Sequence, residues 1–135
     1  MASILKVDDL RGNTAAGNIT ITSEGGSATM QLQQGMVKSW ISINTTGTIA
    51  TRDSFNVSSA TDEGTGAQSI AVTNSFSGSD NMSPSAAAWN NNASNGQYGG
   101  TSGVKDSSTY WVGAFWGTTT FDVLYVFSNV HGDLA

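Results

Sequence analysis

The sequence predicts an all-β fold: an antiparallel sandwich or jelly-roll-like domain carrying an extended N-terminal arm. Three observations predict it. Apolar residues recur with a period of two far more often than with the period of a helix. Turn signals rich in Gly, Asn and Asp cut the chain at short intervals. The last third holds two near-continuous apolar runs, TYWVGAFW (109–116) and FDVLYVF (121–127), as central strands covered on both faces would.

The elements follow in order. Residues 1–35 read as an arm, because Ile4, Leu5, Val7 and Leu10 are large apolar side chains on an otherwise polar stretch. An arm so short cannot bury itself, so a neighbouring subunit is expected to cover it, and a homotrimer is expected. Within it, ITIT (19–22) alternates as a strand does, and ATMQLQ (28–33) is the best helix candidate, although it also reads as a strand.

Residues 36–135 read as the sandwich domain. MVKSWISI (36–43) places Val37, Ser39, Ile41 and Ile43 on one face and Lys38, Trp40 and Ser42 on the other. SFNVSSATDEGTGAQSIAVTNSF (54–76) reads as a hairpin. Phe55 and Val57 are expected on one face of its first strand, matched by Ile70, Val72 and Phe76 on its second, with Gly64 and Gly66 supplying positive φ at the turn. Between Asn74 and Ser108 one strand is expected near 86–90. The remainder, including GQYGGTSG (96–103), reads as loop, too polar and Gly-rich to pack. Residues 117–120 are expected to join the two apolar runs as a hairpin.

Composition narrows the function. A net charge of −5 argues against nucleic acid and anionic membranes as partners. Charged residues make up 11 %, so the polarity rests on Ser, Thr, Asn and Gly, a surface suited to a subunit held within an assembly. The chain has no cysteine, which removes disulfides and thiolate metal sites. MASILKVDDLRG lacks the basic start and apolar core of a secretory signal, and no run is long enough to span a bilayer, so synthesis and folding in a cytoplasm are expected.

No catalytic set is expected. Asp8/Asp9 and Asp62/Glu63 are adjacent pairs, and neighbours in extended chain point to opposite sides, so neither pair can flank one glycosidic bond. His131 is the sole histidine, with Asp133 two residues on. Either hydrogen bonds satisfy it, or three copies meet on a threefold axis and hold a metal there. The Gly-rich stretches lack a following lysine and helix and read as turns. Neither cofactor nor enzyme activity is expected.

The aromatics carry more information. Trp89 and Tyr98 lie among Asn and Gly, the composition of recognition loops, so they are the candidate receptor contacts; the competing reading places them in the core or a subunit seam. Trp111 and Trp116 are expected in a core or seam.

KVDDLRG, ITSEGGSATMQLQQGMVKSW, DSFNVSSATDEGTG and VLYVFSNVHGD, in this order, resemble small tail-fibre-like structural proteins of tailed bacteriophages, marine phages in particular. The match covers Ile4–Asp9, Glu24–Trp40, Ser54–Gly66 and Tyr125–Asp133, and leaves Phe76–Ser108 unmatched. The resemblance implies a trimeric all-β virion protein without catalytic residues, which holds other virion proteins through its arm and touches a host-surface glycan or receptor. A capsid decoration, cement or head-fibre protein is the alternative, and a carbohydrate-binding module a lesser one.

Overall fold

The computed structural model describes residues 4–15, 18–90 and 98–135. The chain divides into two compact units, residues 1–36 and 37–135. Each is described separately.

In the first unit a short antiparallel hairpin pairs β1 (Thr20–Thr22) with β2 (Thr29–Gln31), and a 3-10 turn follows at Gln33–Gly35. The helix candidate at 28–33 is thus a strand running into that turn. β-branched Thr20, Ile21 and Thr22 pair opposite it, and a hairpin satisfies backbone groups that so short a helix would leave open. Ile4, Leu5, Val7 and Leu10 lie in extended chain ahead of the hairpin and are all exposed, Ile4 and Leu5 by 78 %.

The second unit is an antiparallel β-sandwich. One sheet has the order β4-β3-β11-β7, built from β3 (Ser39–Asn44), β4 (Ala50–Phe55), β7 (Met82–Trp89) and β11 (Tyr125–Gly132). The other runs β10-β9-β6-β5, with β8 also on β9. Its strands are β5 (Val57–Gly64), β6 (Ala67–Val72), β8 (Gly99–Asp106), β9 (Thr109–Trp116) and β10 (Thr119–Thr120). The inward rows of both sheets meet in one core. Ile41, Ile43, Met82, Val126 and Val130 come from the first sheet, and Ile70, Val72, Tyr110, Val112 and Ala114 from the second; Phe76 and Val123 complete it from connecting segments.

β3 has the faces its alternation predicts: Ser39, Ile41 and Ile43 are buried and Trp40 is exposed. The strand begins at Ser39, and Val37 is exposed ahead of it. Gly64 and Gly66 take positive φ, 129° and 69°, at the β5–β6 turn. The Gly66 N–H also donates to Asp122 Oδ1 at 2.8 Å, which ties the turn to the segment after β10.

Four expectations are corrected. Phe55 and Val57 do not share a face, because Asn56 between them adopts φ 54° and turns the chain from one sheet into the other. Phe55 ends β4 facing outward, 52 % exposed, while Val57 packs against the core. The stretch from 74 to 108, expected to hold one strand near 86–90 and otherwise loop, contains two eight-residue strands. β7 begins at Met82, ahead of the predicted start, and accommodates Pro84 because it is an edge strand. β8 carries GGTSG because it lies against β7 across the sandwich: a Cβ on Gly100 would collide with the Ala86 carbonyl, and the Ser102 hydroxyl donates to the Pro84 carbonyl at 2.9 Å. Finally, the second apolar run is not one strand. Residues 121–124 cross between the sheets, and the strand is 125–132.

That crossing is clamped in the interior. The Thr45 hydroxyl donates to the Val123 carbonyl at 2.9 Å and accepts the Val123 N–H at 2.8 Å. Nearby, the buried Tyr110 hydroxyl meets Ser128 Oγ at 3.0 Å. Burial pushes the Tyr110 phenol above its usual range, partly offset by the hydrogen bonds it makes with Ser128 and Ser39.

Gln68 is the exception to this satisfaction. It is 1 % exposed on β6, and among the described residues neither its amide nitrogen nor its amide oxygen has a partner. An unpartnered buried amide costs about 1–3 kcal/mol. Gln68→Met, similar in volume and unbranched, is therefore expected to raise the thermal midpoint by several degrees, read by circular dichroism. A lower midpoint would show that the amide has a partner.

Candidate ligand-binding face

The outward rows of the four-stranded sheet hold an aromatic surface assembled from all four strands. On β11, Tyr125 and Phe127 alternate with buried Val126 and Ser128, so both rings project outward. Their centroids are 5.8 Å apart and their planes differ by 12°, an offset stack along the strand. Trp89, directly opposite Tyr125 in register, extends the row with centroids 5.4 Å apart.

Trp40 and Phe55 form a second pair opposite one another on β3 and β4. The register between these strands shifts after Ser42, and Arg52 is the extra residue on β4. Such bulges re-aim side chains. Here the Arg52 guanidinium lies 4.4 Å from the Tyr125 ring centroid and donates to the Leu124 carbonyl at 3.1 Å.

A shallow groove of about 560 Å³ runs between Trp40 and Phe127. Its polar groups sit at fixed register positions: Asp53 opposite Ser42, and Asn129 flanked by Trp40 on one side and Ser85 on the other. The Ser85 hydroxyl donates to Asn129 Oδ1 at 2.6 Å, which holds the amide with its NH₂ as remaining donor. Asp53 Oδ1 accepts the Ser54 N–H at 2.8 Å and leaves Oδ2 as an acceptor. The face thus offers flat apolar area beside hydrogen-bonding groups mounted on paired strands.

The two sequence-predicted contacts part company. Trp89 belongs to this face, 44 % exposed at the end of β7. Tyr98, just before β8, is half-buried and packs against the core, edge-on to Trp116 and Phe121 with centroids 5.7 Å from each. The structure does not bring the two together on one loop. Residues 91–97 of that predicted loop lie outside the described residues. Trp40, Phe55, Tyr125 and Phe127 are the members the sequence did not single out as contacts. Their signal was present only as outward positions in alternating strands far apart in the chain.

The remaining candidates fall elsewhere. Trp111 lies on the five-stranded sheet with Lys105 Nζ 4.6 Å from its ring centroid. Glu63 sits 3.8 Å from that ammonium and accepts the Ser69 hydroxyl at 2.7 Å. Asp62 accepts the Gly64 N–H at 2.9 Å as a turn residue, and Asp9 pairs with Arg11 in the exposed arm. His131 is half-buried on β11 opposite Ser83. Among the described residues of the single chain, no three His, Asp or Glu side chains stand close enough to hold a metal. No protein-family model, curated protein or solved structure matches the chain.

Proposed function

We propose that the protein is a virion structural component of a tailed phage, a tail-fibre-like appendage that works by contact and not by catalysis. In this reading the arm residues Ile4, Leu5, Val7 and Leu10 dock on neighbouring virion proteins, three copies assemble together, and the four-stranded sheet turns its aromatic face to the host surface. The observation carrying the reading is that face. Trp40, Phe55, Trp89 and Phe127 are each more than a third exposed on one side of a single sheet, where a self-contained domain has no use for them. The exposed apolar arm and the low-charge surface support the same reading.

The test is a virion carrying Trp89→Ala and Tyr125→Ala together. Particle assembly and the amount of the protein per particle are expected to stay unchanged, while adsorption to host cells falls by about tenfold or more. Normal adsorption would remove the face from attachment. Immunogold labelling fixes the location, and a label on the shell would replace the tail reading by capsid decoration. Sedimentation at micromolar concentration checks the trimer; a monomer that ignores dilution would end that part of the proposal.

A further inference from the structure

We infer that the groove between Trp40 and Phe127 is a saccharide site that selects neutral sugars over anionic ones. This rests on reading the four-stranded sheet as a recognition face, and it deepens that reading by naming the ligand class.

A pyranose is amphipathic in a particular way: C–H groups line its faces, and hydroxyls ring its rim. The groove presents the matching surfaces. Trp40 and Phe127, both exposed, supply ring area for the C–H face. Asn129 supplies an N–H donor and Asp53 a carboxylate acceptor for the rim, each already oriented by one hydrogen bond within the protein. All four side chains stand on paired strands, so little ordering entropy remains to be lost on binding. The volume lies within the range of about 300–1,000 Å³ common for small-molecule sites. A purely apolar partner, such as a hydrophobic segment of another chain, would leave the Asp53 carboxylate desolvated without a counter-charge.

Charge sets the selectivity. Among the described residues, no cationic side chain lines the groove. Arg52, the residue before Asp53, is committed to the Tyr125 ring and the Leu124 carbonyl. The chain as a whole carries −5. A uronate or a sulfated sugar therefore meets Asp53 with no cation among the described lining residues to pair with, whereas a neutral hexose donates a hydroxyl hydrogen to it.

The test uses the purified chain with nitrogen-15 label, titrated with glucose-, galactose- and mannose-based neutral disaccharides and, separately, with digalacturonate. At least one neutral disaccharide is expected to shift the Trp40 indole and Asn129 side-chain resonances saturably in the millimolar range, and digalacturonate to leave them in place. Trp40→Ala should weaken that binding by about tenfold, with the dispersed spectrum confirming an intact fold. Asp53→Asn should admit digalacturonate. Silence of both resonances towards every neutral sugar would overturn the site, and equal binding of digalacturonate to the unaltered chain would overturn the selectivity. Shifts that follow protein concentration and ignore sugar would assign the groove to a second copy of the chain instead. Saturable sugar binding alongside normal adsorption of the face-altered virion would leave the saccharide site standing and remove the attachment role.

Discussion

Val112→Asp is expected to leave no cooperatively folded sandwich. Val112 is 2 % exposed on β9, with buried Tyr110 and Ala114 on the same inward row, and it pairs with Gln68 on one side and Ser102 on the other. A carboxylate there loses its hydration and finds no cation, because Lys105 is held over Trp111 on the opposite side of the sheet. Burying such a group costs several kcal/mol, whether it stays charged or takes up a proton. The total stability of a domain this size is about 5–15 kcal/mol. The measurement is a thermal melt by circular dichroism, with no sigmoidal transition expected. A normal melt would remove β9 from the centre of its sheet.

Leu124→Asp is the informative contrast. Both residues sit in apolar runs that look equivalent as sequence, but Leu124 is half-buried in the crossing segment, where an added carboxylate reaches water. The expected loss is about 1–2 kcal/mol, typical of a partly exposed substitution.

Asn56→Val is expected to lower the thermal midpoint by about 10–20 °C, corresponding to about 3 kcal/mol in a domain of this size. Two effects add. The backbone at φ 54° is a left-handed conformation that Asn tolerates and a β-branched residue resists. The Asn56 side chain also fastens three segments: Nδ2 donates to the Lys38 carbonyl at 2.9 Å and the Asn74 carbonyl at 3.2 Å, while Oδ1 accepts the Asn74 N–H at 2.7 Å. Asn56→Gly separates the two effects, since glycine accepts the backbone but makes none of those bonds. Its expected loss is about 1–2 kcal/mol. A Val variant no less stable than the Gly variant would show that the backbone conformation carries no strain.

The same residue shows what was legible in the sequence. SFNVSS reads as uninterrupted alternation, and nothing in the residue types announces that one asparagine redirects the chain into another sheet. β3 and β9 were legible because their apolar residues alternate or cluster in one unbroken run. β8 was not, because its pairing with β9 and the close approach of Gly100 to β7 are contacts between segments and not a local preference. Of the aromatic face, the sequence singled out only Trp89. Trp40, Phe55, Tyr125 and Phe127 become neighbours through the strand order β4-β3-β11-β7, which joins residues more than eighty positions apart. For Tyr98 the sequence left an exposed loop and a packed position open, and the ring turns towards Trp116 and Phe121.

The position of β11 between β3 and β7 has a consequence in time. The four-stranded sheet has no direct hydrogen bonding between residues 39–44 and residues 82–89, since both lean on 125–132. While a ribosome is still making the chain, β3 therefore has only β4 to pair with, and β7 has no partner in its sheet. The hairpins β3–β4, β5–β6 and β8–β9 are the β structures that can close early from neighbouring residues. Only when the segment Tyr125–Gly132 leaves the exit tunnel can it slot between the two and bring the aromatic rows into line. Closing so many long-range pairs at once belongs to the slow, millisecond-to-second end of folding. Until that late insertion, the chain holds the pieces of its aromatic face without holding the face.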